Sequence, residues 1–290
     1  MRYLHLCDCD CGVIPESSLL DSLSMAKIPR KAKSGNDWDE VDLVAYNIRV
    51  EFQDAATFFE TPRLPDPVLK AKEVLEVTKA SQTTTDDGYA LLRVAEAATY
   101  PRQNQESAVH DFAAELFRAC GYTGRGRLVR TRKDIYVLTC SEDKYTKVDA
   151  CILNDMDEVI LLVHEDKWHF DNAILSHPEC QLIAEAIAAF AANTNELNDL
   201  RSCRSESPPP PCQFKVMPGI ILNGTSPTFY KIPVSKNLVT AVKCGQYPKQ
   251  ETVVLAHTPD VLPRTEESMY PLENRRVILS CFEAFKRFVK

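Results

Sequence analysis

The 290 residues carry 41 acidic against 34 basic side chains, a formal charge of −7, with 44% hydrophobic residues and eleven cysteines. That balance is globular and excludes wholesale disorder. It counts against a general nucleic-acid coat or a polybasic membrane binder, though not against a local basic groove. No apolar run reaches the ~18–20 residues of a membrane helix, and the amino terminus has no apolar signal-like core. The cysteines are odd in number and scattered, unlike a secreted disulfide framework. A reducing cytoplasmic or nuclear compartment and no membrane partner are therefore expected.

Along the chain, residues 1–100 read as a helical, loop-rich lobe. Asp66-Pro67 signals a helix to about Val77, and the polar run Ser81–Asp87 precedes another over about Tyr89–Thr99. A second region, 101–290, opens with an amphipathic stripe of Val109, Phe112, Ala113, Leu116 and Cys120, ended by Gly121. Three strand-like runs follow: Leu128–Thr139, Thr146–Leu153 and Val159–Lys167. A helix over Pro178–Asn193 comes next. Strands at about Lys215–Leu222 and Thr228–Ile232 are joined by the turn pair Asn223-Gly224, and a last helix covers about Leu272–Val289. This order predicts a mixed α/β domain on one central sheet flanked by helices.

Chemistry concentrates in two of those strands. A hairpin turn centred near Asp157 sets Asp149 across from Glu165, eight residues away on each side. Alternation then puts Asp149, Glu165 and Lys167 on one face and turns His164 to the other. Two carboxylates so close require a cation or a shared proton between them, and converging oxygen donors suit Mg²⁺. A lysine beside them can hold a water or a developing charge. A solvated cross-strand ion cluster is the plainer alternative, which the apolar content of both strands disfavours.

This Asp…Glu-x-Lys arrangement resembles the PD-(D/E)XK nuclease superfamily. The combination of Glu165-Asp166-Lys167 with the segments PECQLIAEAIAAF and GTSPTFYKIPV is similar to nuclease-like proteins of mushroom-forming fungi. The resemblance covers about residues 104–235 and implies a restriction-endonuclease-like sheet. It implies Mg²⁺ or Mn²⁺ held by Asp149 and Glu165, with Lys167 assisting the attacking water. An acid on the preceding helix, Glu106, would add a metal ligand, and Gln181 on the following helix would join the catalytic set. Val148 stands where the family usually has proline.

Thr123–Lys133 contains five basic residues and no acid. Arg125 and Arg127 on its Gly-punctuated loop, and Arg130 and Arg132 on one strand face, could follow a phosphate backbone. Positive charge protecting an edge strand is the alternative, and phosphate contact is slightly preferred because the neighbouring carboxylates need a polyanionic substrate. Cys7, Cys9 and Cys11 invite a zinc reading, but no second distant pair completes it. The function expected is metal-dependent cleavage of DNA or RNA, with a homodimer in keeping with the resemblance. A catalytically silent nuclease-like scaffold that binds protein or nucleic acid is the alternative, and a small-molecule hydrolase using the same metal is a third.

Overall fold

A computed structural model describes residues 28–99, 108–165, 177–204, 213–261 and 269–290. Glu106, Lys167 and the Cys7–Cys11 cluster lie outside them. The helices are α1 (Glu40–Ala45), α2 (Ala55–Phe59), α3 (Asp86–Thr99), α4 (Ala108–Ala119), α5 (Pro178–Arg204), α6 (Lys236–Cys244) and α7 (Leu272–Phe285). The strands are β1 (Ile48–Phe52), β2 (Arg127–Thr139), β3 (Glu142–Asn154), β4 (Val159–Glu165), β5 (Phe214–Asn223), β6 (Ser226–Ser235) and β7 (Thr252–His257). They form one seven-stranded mixed sheet in the order β1-β7-β6-β5-β4-β3-β2. No helix among the described residues is long and apolar enough to cross a membrane.

The local reasons are those of the sequence. The α4 stripe buries Val109, Phe112, Ala113, Leu116 and Phe117 on one sheet face, and Gly121, at φ 72°, turns the chain out of the helix. The β4 run VILLVHE is buried at every position, as expected of a central strand covered on both faces. It pairs antiparallel with β3 and parallel with β5, and α5 makes the crossover. Leu182–Ala184 and Ala186–Phe190 of α5 are all buried on the second face, the pattern of a helix enclosed on nearly every side. That close approach needs Gly219, because a Cβ there would sit 2.9 Å from a Leu182 methyl. Two apolar layers result. One joins α4 and α7 to Ile152, Val163 and Phe229, and the other joins α5 to Cys151, Leu162 and Ile232.

The expectation of an all-helical segment over residues 1–100 is corrected. β1 lies in that stretch and pairs in parallel with β7, Val50 against Val254. Phe58, Phe59, Val74 and Leu91 pack into the same layer as Phe112 and Phe282. The helix expected from Asp66-Pro67 is only a single turn at Lys72–Leu75. Its carbonyls are taken by the buried Arg275 of α7, whose Nη1 donates to Val74 O at 2.8 Å and to Val77 O at 2.7 Å. Arg275 Nε also donates to Met269 O at 2.9 Å. Glu73 accepts from the amides and hydroxyls of Thr84 and Thr85 just before α3. These bonds hold its carboxyl down at about 2.

Arg275→Met keeps the buried volume but leaves at least three carbonyls without their donor. A loss of about 2–4 kcal/mol in urea unfolding is expected. A loss below about 0.5 kcal/mol would show that the guanidinium is not holding this segment.

Candidate functional site

The site forms where β3 and β4 part. Their turn closes around Met156, because Leu153 pairs with Val159, and Ile160 is then an extra, bulged residue. Beyond the bulge the pairs are Cys151 with Leu162 and Ala150 with Val163. Continued by one position, the residue across from Asp149 is His164. This corrects the register expected from a turn centred on Asp157, which set Asp149 across from Glu165. A one-residue slip exchanges faces, so Glu165 and the Asp149 backbone belong to opposite sides of the sheet.

The carboxylates meet all the same. Ladder pairing of β3 with β4 ends at Ala150–Val163, and the Asp149 side chain enters the gap. Its Oδ2 accepts from the Glu165 amide at 3.0 Å. The strand also reverses its faces here. Ala150 and Ile152 pack in the α4 layer, whereas Val148 packs in the α5 layer. Across the β2–β3 pair, Arg132 stands between the pairs Thr131–Ala150 and Lys133–Val148 and has φ 53°. That left-handed backbone is costly for arginine, and it sits directly beside Asp149.

Three further ionisable residues complete the cluster. From α4, His110 Nε2 lies 3.5 Å from Asp149 Oδ1 and 3.3 Å from Glu165 Oε2. On the other face, His164 Nδ1 lies 3.0 Å from Glu185 Oε1 of α5 and 3.6 Å from Asp149 Oδ2. Acids and imidazoles thus alternate through the sheet: Glu185, His164, Asp149, His110, Glu165. Asp149, His164 and Glu165 are buried and Glu185 is wholly so, while His110 keeps partial access to solvent.

Burial alone would raise the Asp149 carboxyl, but the contact with His110, the charge of His164 and the Glu165 amide outweigh it and hold it down at about 2. His110 is raised chiefly by its contact with Asp149 and also by the Glu165 charge, against burial and the charge of Arg132. The His110 imidazole occupies the place between the two carboxylates where a cation was expected, and both carboxylates favour its protonated form. Burial raises the Glu185 carboxyl against the opposing effect of His164. Among the described residues, no group of three or more His, Cys, Asp or Glu side chains is arranged to hold a metal ion.

The other expected residues are distributed around this cluster. Gln181 begins α5, its amide bonded to His177 O, one turn before Glu185 on the same helix face. Arg127 is half-buried and donates to Val289 O at 3.2 Å, a bond within the fold. Arg125, Arg130 and Arg132 are exposed. The shared face of Arg130 and Arg132 is interrupted by the reversal at Arg132. Arg130 pairs across from Cys151 on the α5 side, whereas the Arg132 charge acts on His110. His110 and Glu185 were not expected from the sequence, and His164 was expected only on the face opposite Glu165. Their signal was a histidine ending the apolar run of β4 and a glutamate inside the apolar run of α5, two costly residues that need each other.

No protein-family model matches this chain, and no curated protein matches it by sequence.

The raised His110 contributes stability that is complete below its ordinary value of 6.5 and is lost as pH rises through its folded value. The lowered Asp149 contributes above its ordinary 3.8 and loses that contribution as pH falls toward about 2. Both are present together between those ordinary values. In EDTA, wild type should exceed His110→Gln in unfolding free energy most in that window. The margin should shrink from about pH 5 to about pH 9. A margin constant over that range would mean that His110 is not charged in the fold.

Proposed function

We propose that the chain is a metal-dependent phosphodiesterase acting on nucleic acid, with Asp149, Glu165, His110 and Lys167 as its active centre. The observation that carries this reading is the convergence of Asp149 and Glu165 on one imidazole, at the point where β3 and β4 separate and Arg132 stands alongside. The element order α4-β2-β3-β4-α5-β5-β6 agrees with a restriction-endonuclease-like core, and that identity belongs to the same proposal.

The two carboxylates are donors suited to Mg²⁺ or Mn²⁺, whereas the His110 imidazole favours softer ions. His110 lies 3.3 and 3.5 Å from them, but the three side chains are not arranged around one ion position as they stand, so an ion would have to draw them into place. His110 would have to give up its proton, and it stands in for the donor expected of Glu106, four residues earlier in the sequence. The ion, when bound, would polarise the scissile phosphate and lower the pKa of a water.

The chain's own groups do the rest. Asp149 stays ionised because the Glu165 amide and two imidazoles surround it. His164 and Glu185 brace its buried oxygen from behind. Lys167, two residues beyond Glu165, is proposed to position the attacking water or to stabilise charge on the phosphorane. Arg132, beside Asp149, would receive a neighbouring phosphate, and Gln181, on the Glu185 face of α5, would assist in orientation.

Purified protein should cleave DNA or RNA in Mg²⁺ or Mn²⁺, and Asp149→Ala or Lys167→Ala should lower the rate by at least about 100-fold. Calorimetric Mn²⁺ binding should be lost in Asp149→Ala. Absence of cleavage on single- and double-stranded DNA and RNA, together with absence of carboxylate-dependent Mn²⁺ binding, would leave the silent scaffold as the better reading.

A further inference from the structure

The β2–β3 ribbon runs on past the site, beyond the part covered by α4. Ile135, Val137 and Val148 turn into the α5 layer and Thr146 is buried, so the alternate residues face the other way. These are the pairs Asp134–Lys147 and Tyr136–Tyr145. They continue the side of the sheet that carries His110 and Glu165. Tyr136 is 46% exposed and Tyr145 62%, although their rings meet edge-on at 5.8 Å and 73°. The Tyr136 hydroxyl donates to Asp143, which anchors the ring on the ribbon. Along β2, Tyr136 is four residues from Arg132, about 13 Å.

The charge of this ribbon differs from that of the whole chain. Residues 125–147 hold seven basic and three acidic side chains, net +4 over both sides of the ribbon, in a chain of −7; on the tyrosine side the cations are Arg132 and Lys147, interleaved with Asp134 and Asp143. Exposed aromatic rings on an open sheet face, flanked by cations, are what unpaired bases use, because every base has a face to stack and the cations follow the backbone. A duplex keeps its base faces stacked internally and cannot use the rings.

We propose that this face binds single-stranded nucleic acid. Bases stack on Tyr136 and Tyr145, Arg132 and Lys147 take phosphates, and the strand leads toward Asp149 and Glu165. This rests on the nuclease reading for its direction and defines its substrate class as single strands or single-stranded tails.

The test is fluorescence anisotropy of the full chain in EDTA, with a labelled oligothymidylate, an oligouridylate and a duplex of equal length. Wild type should prefer the single strands. Tyr136→Ala and Tyr145→Ala should each weaken single-strand binding about tenfold and change duplex binding less than about twofold. The Tyr→Phe variants, which keep the stacking face, should bind as wild type does. Thermal melts accompany each variant, and Tyr145→Thr serves as a second removal that keeps strand propensity. Preference for duplex, or unchanged single-strand binding in folded Tyr136→Ala and Tyr145→Thr, overturns the proposal. Absence of binding to all three probes overturns it as well. Cleavage in Mg²⁺ is scored separately. Stacking-dependent binding without cleavage would keep this surface and remove the nuclease reading, whereas cleavage without ring dependence would do the reverse.

Discussion

A carboxylate held in the gap between two diverging strands organises the rest of this molecule. Asp149 stands where β3 stops pairing with β4, and one of its oxygens accepts the Glu165 amide in place of a ladder bond. That single bond ties the two strands together just as they separate. It also brings Asp149 to the α4 side, although its register position belongs to the α5 side. The reversal of faces at Asp149 and the left-handed backbone of Arg132 opposite it are parts of the same local geometry.

Such an arrangement is expensive in isolation, since buried charges lose hydration worth several kcal/mol each. It persists because the charges alternate. Two imidazoles stand between three carboxylates, and each buried acid has a histidine within 3.6 Å. The wholly buried Glu185 is reached through His164, so α5 is linked to the same centre as α4. The apolar layers on each face then fix both helices, with Gly219 admitting α5 close to the sheet. The layers set the distances, and the ionisable groups use them.

Much of the fold was legible in the residues because it follows from periodicity. The stripe of α4, the continuous apolar run of β4 and the Pro178 start of α5 each state their element without help. The β2–β3 hairpin was longer than its pattern suggested. Its turn uses Cys140 and Ser141, both at positive φ, where Gly or Asn would be expected. Their amides bond instead to Val242 and Lys243 carbonyls at the end of α6, so the turn depends on a distant helix. β1 was missed for a similar reason: IRVEF is half-exposed and becomes a strand only beside β7.

Sequence by itself singled out Asp149 and Glu165 as two acids that come together, and most of the helices and strands that carry them, because amphipathic spacing and turn residues act over a few positions. Tertiary structure alone decided how those residues meet. The bulge at Ile160 shifts the hairpin by one, which turns His164 rather than Glu165 toward Asp149. Packing of α4 and α5 then delivers His110 and Glu185 from 39 and 36 residues away along the chain. Spacing within a strand can be read from a pattern of period two. A bulge, a strand divergence and the approach of two helices are properties of contacts between segments, and no local pattern encodes them.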